Sequence, residues 1–473
     1  MDSTHVVLII FIISFVIILS EKLHRTLAAW LGCIAIVLYG HISGVFDTAL
    51  EALDSDGHHI YHNLEHLMLT WIEFEVIGLL LGMMIFAGLL ELSGFFEYLA
   101  IKATKLSKGD PWMLIVYLGT FTTLVSLIID NVTAIIIIAP ITLRMCQKLE
   151  INPVPPLLAE AILSDTGGVA SMVGDPPNVM IAAATAKEGI EGFGFNGFLL
   201  HLGIMTFFAW GITLGYLRYY YREWRTEKSP HVQKILEEDE WDAVENLKMM
   251  KITLTVLGLT VLGFMLHEPL KHFFHIEIAI HSISLAGAGV ALVLAHSNNG
   301  DDHNEGFLNE VMEKVEWQAL LFFVGLFILV GSIAEVGWLT KLATWVWELS
   351  PDGENKEMWL AVAVIWVSAG ASAIVDNIPF AAAMIPVILQ LQADYGADPA
   401  PLFWALAMGA GFGGNATPIG SSANVMTVSI SERGPRPITT KEWVRVGTPV
   451  MFITCIVGTI FMMLFYELLY VSG

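Results

Sequence analysis

What most constrains this chain is a succession of apolar runs, each close to the length of a bilayer-crossing helix; Val6–Leu19, Ile77–Leu90 and Ile252–Leu266 are three of them. A helix needs about 20 mostly apolar residues to cross the hydrocarbon core of a membrane. Only 15% of the 473 residues are charged, whereas a soluble domain carries about 25%, and mean hydropathy is +0.66. The chain therefore reads as an all-α polytopic protein of the lipid bilayer. The first apolar run has no basic segment before it and no small-residue cleavage site after it, so a retained span is expected rather than a removed signal. Cys33, Cys146 and Cys455 stand singly in apolar surroundings and match no metal or redox spacing.

Ten full spans are expected, at about 5–20, 27–46, 74–96, 155–185, 195–217, 251–267, 278–296, 316–340, 401–430 and 443–470. Two further apolar stretches, about 111–147 and 358–394, carry an Asp-Asn pair midway and read as re-entrant hairpins. With both termini on the outer side, every Lys and Arg except Lys187, Lys271, Lys341 and Lys356 falls in the cytoplasm. Such an excess is what orients membrane helices. The expected location is the bacterial inner membrane, with both termini periplasmic.

The second half repeats the first. Ser126, Asp130 and Asn131 fall on Ser372, Asp376 and Asn377 at a shift of 246, as do Pro140 on Pro386, Pro155 on Pro401, Gly168 on Gly414 and Gly174 on Gly420. Asn178-Val-Met falls on Asn424-Val-Met at the same shift, while Glu73 and Gly94 match Glu316 and Gly337 at 243. The repeats are read as 1–221 and 251–473, joined by a charged cytoplasmic linker, 222–250. Each repeat holds five spans and one hairpin, and an odd number of spans turns the second copy upside down. Inverted repeats with discontinuous helices at the midplane are the plan of many secondary transporters.

The polar residues inside these apolar stretches carry the chemistry. A charge at that depth costs about 2.5–3.5 kcal/mol on insertion scales, so it normally has a partner or a role. Ser126 lies one helical turn from Asp130, and Ser372 one turn from Asp376, so a hydroxyl and a carboxylate share a face. Oxygen ligands of this kind suit hard cations. Asn131, Thr133 and Asn377 sit beside them at the tips. An Asp-Asn pair can also simply cap a broken helix, an alternative that weakens when the pair occurs twice.

The spans after the hairpins are broken. Ser164-Asp165-Thr166-Gly-Gly leads to Gly174-Asp175-Pro-Pro-Asn178, and Pro176 and Pro177 are expected to leave the carbonyls of Met172 and Val173 free. The partner segment offers Asn415, Thr417, Pro418, Ser421, Ser422 and Asn424, with Pro418 expected to free the carbonyl of Gly414. The halves differ in that Asp165 and Asp175 face Gly411 and Ser421. Several acids around one cation raise one another's proton affinity when it leaves, which is the core of cation–proton exchange. Glu91, Glu160 and His201 lie near expected span ends and read as interfacial. His58, His62 and His66 have helical spacing in an outer loop that could bind zinc or titrate, although a solvated loop explains them as well.

The ordered set of hairpin tips, Gly-Asp-Pro-Pro-Asn at 174–178 and Gly-Ser-Ser-Ala-Asn at 420–424, resembles the ion transporter superfamily, and within it NhaD-type sodium/proton antiporters, next to ArsB arsenite permeases. The resemblance implies cation or substrate sites on Ser126, Asp130, Asn131, Asn178, Ser372, Asp376, Asn377 and Asn424, with Na+ held by the first three and their counterparts. It also implies a homodimer in which a transport unit slides against a fixed scaffold. Dicarboxylate carriers of the superfamily have Ser-Asn-Thr tips. Here Asp130, Asp376, Asp165 and Asp175 would repel a dianion.

The expected activity is exchange of cytoplasmic Na+, or Li+, for external H+. A neutral metalloid such as arsenite is the alternative substrate. A sodium/dicarboxylate symporter or a membrane receptor fits less well, and no HExxH or nucleophile elbow marks an enzyme. No GxxxxGK[ST] loop is present, so neither ATP nor another nucleotide is expected as a partner. No nucleic acid and no cofactor are expected beyond the transported ions.

Overall fold

The computed structural model describes residues 3–20, 22–51, 60–61, 63–224, 239–275, 278–297, 304–348, 353 and 355–471. All regular structure there is helical. The first half contains α1 (Ser3–Ser20), α2 (Arg25–Ser43), the short α3 (Asp47–Leu50), α4 (Leu64–Trp71), α5 (Phe74–Leu92), α6 (Phe95–Ser107), α7 (Pro111–Ser126), α8 (Asn131–Leu149), α9 (Val154–Gly168), α10 (Pro176–Lys187), α11 (Phe195–His201) and α12 (Gly203–Tyr220). The second contains α13 (Leu247–Phe274), α14 (Ile280–Ser297), α15 (Asn304–Glu313), α16 (Trp317–Glu335), α17 (Trp338–Glu348), α18 (Lys356–Ser372), α19 (Asn377–Tyr395), α20 (Pro399–Gly414), α21 (Ser422–Ser431) and α22 (Thr440–Leu464).

Helix boundaries follow the repeat. The bounds of α5 and α16 differ by 243 at both ends, and those of α8 and α19 by 246 at both ends. Local chemistry explains the starts. Asp110 accepts the Met113 amide ahead of Pro111 at the first position of α7, and Thr439 with Glu442 forms a capping box on α22. Among the described residues eight helices are long and apolar enough to cross a membrane, or nine if α11 and α12, bent by 54°, count as one span. The eight include α8 and α19, the second arms of the expected hairpins. Arm length therefore does not distinguish hairpins from spans.

Two groups of helices emerge from the packing. α1, α2, α5, α13, α14 and α16 pack mainly on one another, while α7–α10, α12 and α18–α22 form a second group. α5 and α16 bridge to the second group through α8, α10 and α19. The outward faces are apolar: Leu27, Leu31, Ile34, Leu38 and Ile42 line one exposed stripe of α2, and Phe452, Ile456 and Ile460 one of α22. Such stripes suit lipid, which offers no hydrogen bonds.

Of the expected linker, residues 225–238 lie outside those described. Its end makes a 3-10 turn, Glu240–Ala243, docked on α6. Lys105 Nζ meets Glu240 Oε2 at 2.5 Å, and this hydrogen bond holds the Glu240 carboxyl below its ordinary value. The turn comes so close that a Cβ on Gly94 would lie 2.0 Å from the Ala243 carbonyl oxygen. Gly94 also has φ +79°, a conformation glycine adopts without strain.

Candidate functional site

Each half of the site is a hairpin tip laid across a helix break. In the first half the tip is 127–130, between α7 and α8, and the break is 169–175, between α9 and α10. Ser126 Oγ donates to the carbonyls of Ser164 and Gly174, both at 3.4 Å, and Ser171 Oγ donates to Leu127 O at 2.6 Å. The break is braced by Asn178, whose Nδ2 donates to the carbonyls of Gly168 (3.5 Å), Val169 (3.3 Å) and Ser171 (2.9 Å).

The second half repeats these bonds 246 residues on. Ser372 Oγ donates to Ala410 O at 2.7 Å, Thr417 Oγ1 to Ala373 O at 2.5 Å, and Asn424 Nδ2 to the carbonyls of Gly414 (2.8 Å) and Thr417 (3.2 Å). The legs of each break cross at a glycine pair. A Cβ on Gly174 would lie 2.5 Å from Gly168 O, and one on Gly420 2.6 Å from Gly414 O.

The cause expected for free Met172 and Val173 carbonyls, proline inside a continuing helix, needs correction. α10 begins at Pro176, in the first turn where no amide donor is needed, so residues 172 and 173 were never its helical partners. Within the break Asn178 takes the carbonyls of Val169 and Ser171 and shares that of Gly168 with the Ser171 amide. The Gly414 carbonyl likewise belongs to Asn424.

Both tip aspartates cap the helices they precede. Asp130 is 2% exposed; it accepts from Thr133 N at 2.9 Å and Thr133 Oγ1 at 2.6 Å. Asp376 accepts from Ile378 N at 3.1 Å. Its other oxygen meets Arg25 Nη1 at 3.1 Å and also bonds the Ser422 hydroxyl, which Arg25 touches as well. The Arg25 guanidinium lies 5.4 Å over the Phe322 ring.

The two carboxylates that break the repeat symmetry join the halves. Asp165 accepts from Asn131 Nδ2 at 2.9 Å and from Ser421 Oγ at 3.3 Å, one partner from each repeat. Asp175 accepts from Asn377 Nδ2 at 2.9 and 3.1 Å, and Asn415 Nδ2 reaches Thr166 Oγ1 at 3.2 Å. Asp175 also lies within electrostatic reach of Asp165, Asp376 and Asp130. A Cβ on Gly411 would sit 2.3 Å from Val169 Cγ2 and 3.1 Å from Asp175 Oδ2. An aspartate at 411 would therefore compete for space that Asp175 occupies.

Around this junction five buried oxygens have no hydrogen-bond partner among the described residues: Asn131 Oδ1, Asp165 Oδ2, Asn178 Oδ1, Asn415 Oδ1 and Asn424 Oδ1. Buried polar atoms are normally satisfied, and each exception needs a reason. All five are acceptors, and an acceptor is satisfied by a proton or a cation. A narrow cavity of about 20 Å³, bordered by Arg25, Asp130, Thr133, Glu316 and Ser422, opens beside the tips, with room for about one water-sized occupant. Among the described residues no three His, Cys, Asp or Glu side chains form a metal cluster. A cation here would be held by neutral oxygens with one or two carboxylates, a set that suits a hard, weakly charged ion more than a transition metal.

All sixteen expected residues lie at the tips and breaks, where the hydroxyls of Ser126, Ser372 and Thr417 are turned to backbone carbonyls. The sequence reading missed Arg25, Glu316 and Ser171. Ser171 was discoverable, because it precedes Thr417 by the repeat shift of 246. Arg25 was read only as a cytoplasmic charge; its long side chain turns inward, leaving it 31% exposed. Glu160, read as interfacial, is fully buried and accepts from Thr142 Oγ1 at 2.6 Å. Glu91 does lie at a half-exposed helix end, paired with Lys314 at 2.6 Å, and His201 stacks on Trp404. His58 and His62 lie outside the described residues; His66 opens α4.

Helix breaks facing hairpin tips within an all-helical, lipid-facing molecule define a membrane transporter. Residues 15–409 match the family described as Citrate transporter, and the chain belongs to that family, a branch of the ion transporter superfamily. An uncharacterized transporter of Mycobacterium tuberculosis is 34% identical over 462 residues, covering 97% of this chain and 98% of that one. The human P protein is 31% identical over 95% of this chain, which spans 58% of that longer protein. Among solved structures, the YdaH transporter of Alcanivorax borkumensis matches with TM-score 0.59 at 15% identity over 95% of this chain and 100% of that one. MtrF of Neisseria gonorrhoeae matches with TM-score 0.59 at 13% identity over 86% and 84%. These two show a shared fold.

Proposed function

We propose that this transporter is a proton-coupled antiporter that exchanges cytoplasmic Na+, or Li+, for external H+ across the bacterial inner membrane, working as a homodimer without a cofactor. The observation that carries this reading is the set of five partnerless buried oxygens beside Asp130, Asp165, Asp175 and Asp376. Amide and hydroxyl oxygens supply neutral ligands for an alkali ion. Carboxylates packed within electrostatic reach of one another favour a proton once that ion leaves. One site then alternates between the two cargoes.

The name of the family raises citrate as a competing cargo. A polyanion would meet Asp130 and Glu316 at the cavity, where Arg25 is the one cation among the described lining residues and already pairs with Asp376. Like charges in a poorly screened space repel by several kcal/mol at an effective dielectric of about 20. The residues therefore favour a cation.

The test is proton flux in inverted vesicles of purified protein, followed with a pH-sensitive dye as sodium, lithium, potassium, citrate or arsenite is added. Proton release from the lumen on sodium addition, reduced about a hundredfold or more in Asp130→Asn and Asp376→Asn, is expected. A response to citrate or arsenite alone would replace the cation reading, as would wild-type exchange in both variants.

A further inference from the structure

Glu160 has no part in the ion site described above. It sits on α9, five residues before Asp165, and is fully buried. Its Oε1 accepts from Thr142 Oγ1 at 2.6 Å, while its Oε2 has no partner among the described residues. One turn further along the same face, the buried Ser164 hydroxyl is also partnerless, and next to it so is Asp165 Oδ2. Three unsatisfied oxygens thus follow one helix over five residues, about 7.5 Å along the axis. At the other end of this row, on α8 and one turn beyond the Thr142 that bonds Glu160, lies Cys146. Cys146 also lines a second pocket, of about 370 Å³, with Gln147, Glu150, Asn152 and Arg436. That pocket lies at the α8–α9 turn, the end that the basic residues assign to the cytoplasm.

We propose that Glu160 is a proton-carrying site distinct from the cation site, relaying protons between the pocket at the α8–α9 turn and Asp165. An unpaired carboxylate in that surrounding is strongly disfavoured, so the carboxyl holds a proton when at rest. Thr142 serves both forms, because a hydroxyl accepts from the acid as well as it donates to the carboxylate. In each cycle the Glu160 O–H bond breaks as its proton leaves for the pocket at the α8–α9 turn, and the O–H bond re-forms with the proton that Asp165 gives up by way of the Ser164 hydroxyl. No electron is transferred and no co-reactant is needed.

The surroundings leave this carboxyl without a counter-charge. Of the helices packed on α9, α20 and α21 carry no titratable side chain, and α7 carries only Tyr117. α8 brings Cys146, Arg144 and Lys148; α12 brings Tyr216, Arg218, Tyr219 and Tyr220; α22 brings Lys441, Glu442, Arg445 and Cys455. None of them hydrogen-bonds Glu160, and Thr142 is its one such partner among the described residues.

The inference rests on the antiport reading for its cargo, and the experiment separates the two. Infrared difference spectra of the purified protein on a pH step should show a carboxylic-acid C=O band that disappears in Glu160→Gln. In vesicles, Glu160→Gln should retain sodium binding, read as a sodium-induced shift in melting temperature. Its proton-coupled exchange should fall about a hundredfold, with partial recovery in Glu160→Asp. Should Glu160→Gln not fold, Thr142→Ala carries the test and should shift the pH profile of exchange. The proposal is overturned if the band persists in Glu160→Gln, if the folded variants keep the wild-type pH profile, or if sodium binding vanishes together with exchange. Failure of the antiport reading looks different: the wild-type protein itself would then move no protons with any cation.

Discussion

Asn178 and Asn424 each hold a helix break closed with the nitrogen of an amide and leave the oxygen bare. Replacing Asn178 by Ala leaves buried carbonyls unsatisfied, at about 1–3 kcal/mol, and a lower melting temperature in detergent is expected. Asn178→Asp keeps the bare oxygen but loses the donor, so it should melt early too; wild-type melting in both variants would rule out the bracing role. Asp130 poses the complementary case, since it both caps α8 and borders the cavity. Asparagine caps as well as aspartate, so Asp130→Asn should melt like the wild type and yet fail to exchange. A large drop in its melting temperature would reduce Asp130 to a structural cap.

At the scale of elements, each break is held by two backbones crossing where only glycine fits. Gly174→Ala and Gly420→Ala place a methyl 2.5 and 2.6 Å from a carbonyl oxygen. Overpacking of this kind costs about 1–3 kcal/mol or more. Both variants should express poorly, whereas Gly211→Ala, on an open face of α12, should express normally. The linker's docking on α6 gives a second test. Its bond to Lys105 lowers the Glu240 carboxyl below 4.5, so the contribution of the ion pair is complete above that value and is lost only as pH falls through the lowered one. Protease cleavage of the linker should therefore be insensitive to pH throughout the neutral range and faster in Glu240→Gln. A cleavage rate that changes with neutral pH in the wild type, but not in that variant, would contradict the sign.

For the whole molecule, the decisive contact is Arg25. It reaches from α2, in one helix group, to Asp376 and Ser422 in the other. Under the antiport proposed above, its charge would occupy the oxygen that a cation cargo needs, so cargo and arginine would exclude each other at Asp376. Arg25→Gln should lower the half-saturating sodium concentration by about fivefold, the equivalent of ~1 kcal/mol for a partly buried pair. Arg25→Lys should stay near the wild type. An unchanged sodium dependence in Arg25→Gln would mean that the contact merely holds the two groups together.

The membrane class, the repeat, both tips and both breaks were legible in the sequence, because they depend on quantities that survive without coordinates. These are the apolar length needed to cross a bilayer, the cost of a charge at depth, and residue identity at a constant shift. The extra carboxylates were visible too, as places where Asp165 and Asp175 have no acidic counterpart. Tertiary structure alone decided what each polar atom faces. Asp165 touches Ser421 across 256 residues, and Arg25 touches Asp376 across 351. Sequence spacing is silent about both, because the loops between them impose no geometry. The same limit hid Glu160. Its position along α9 could be counted, but its burial depends on α8 and on the other helices packed around α9, and only the folded chain places them there.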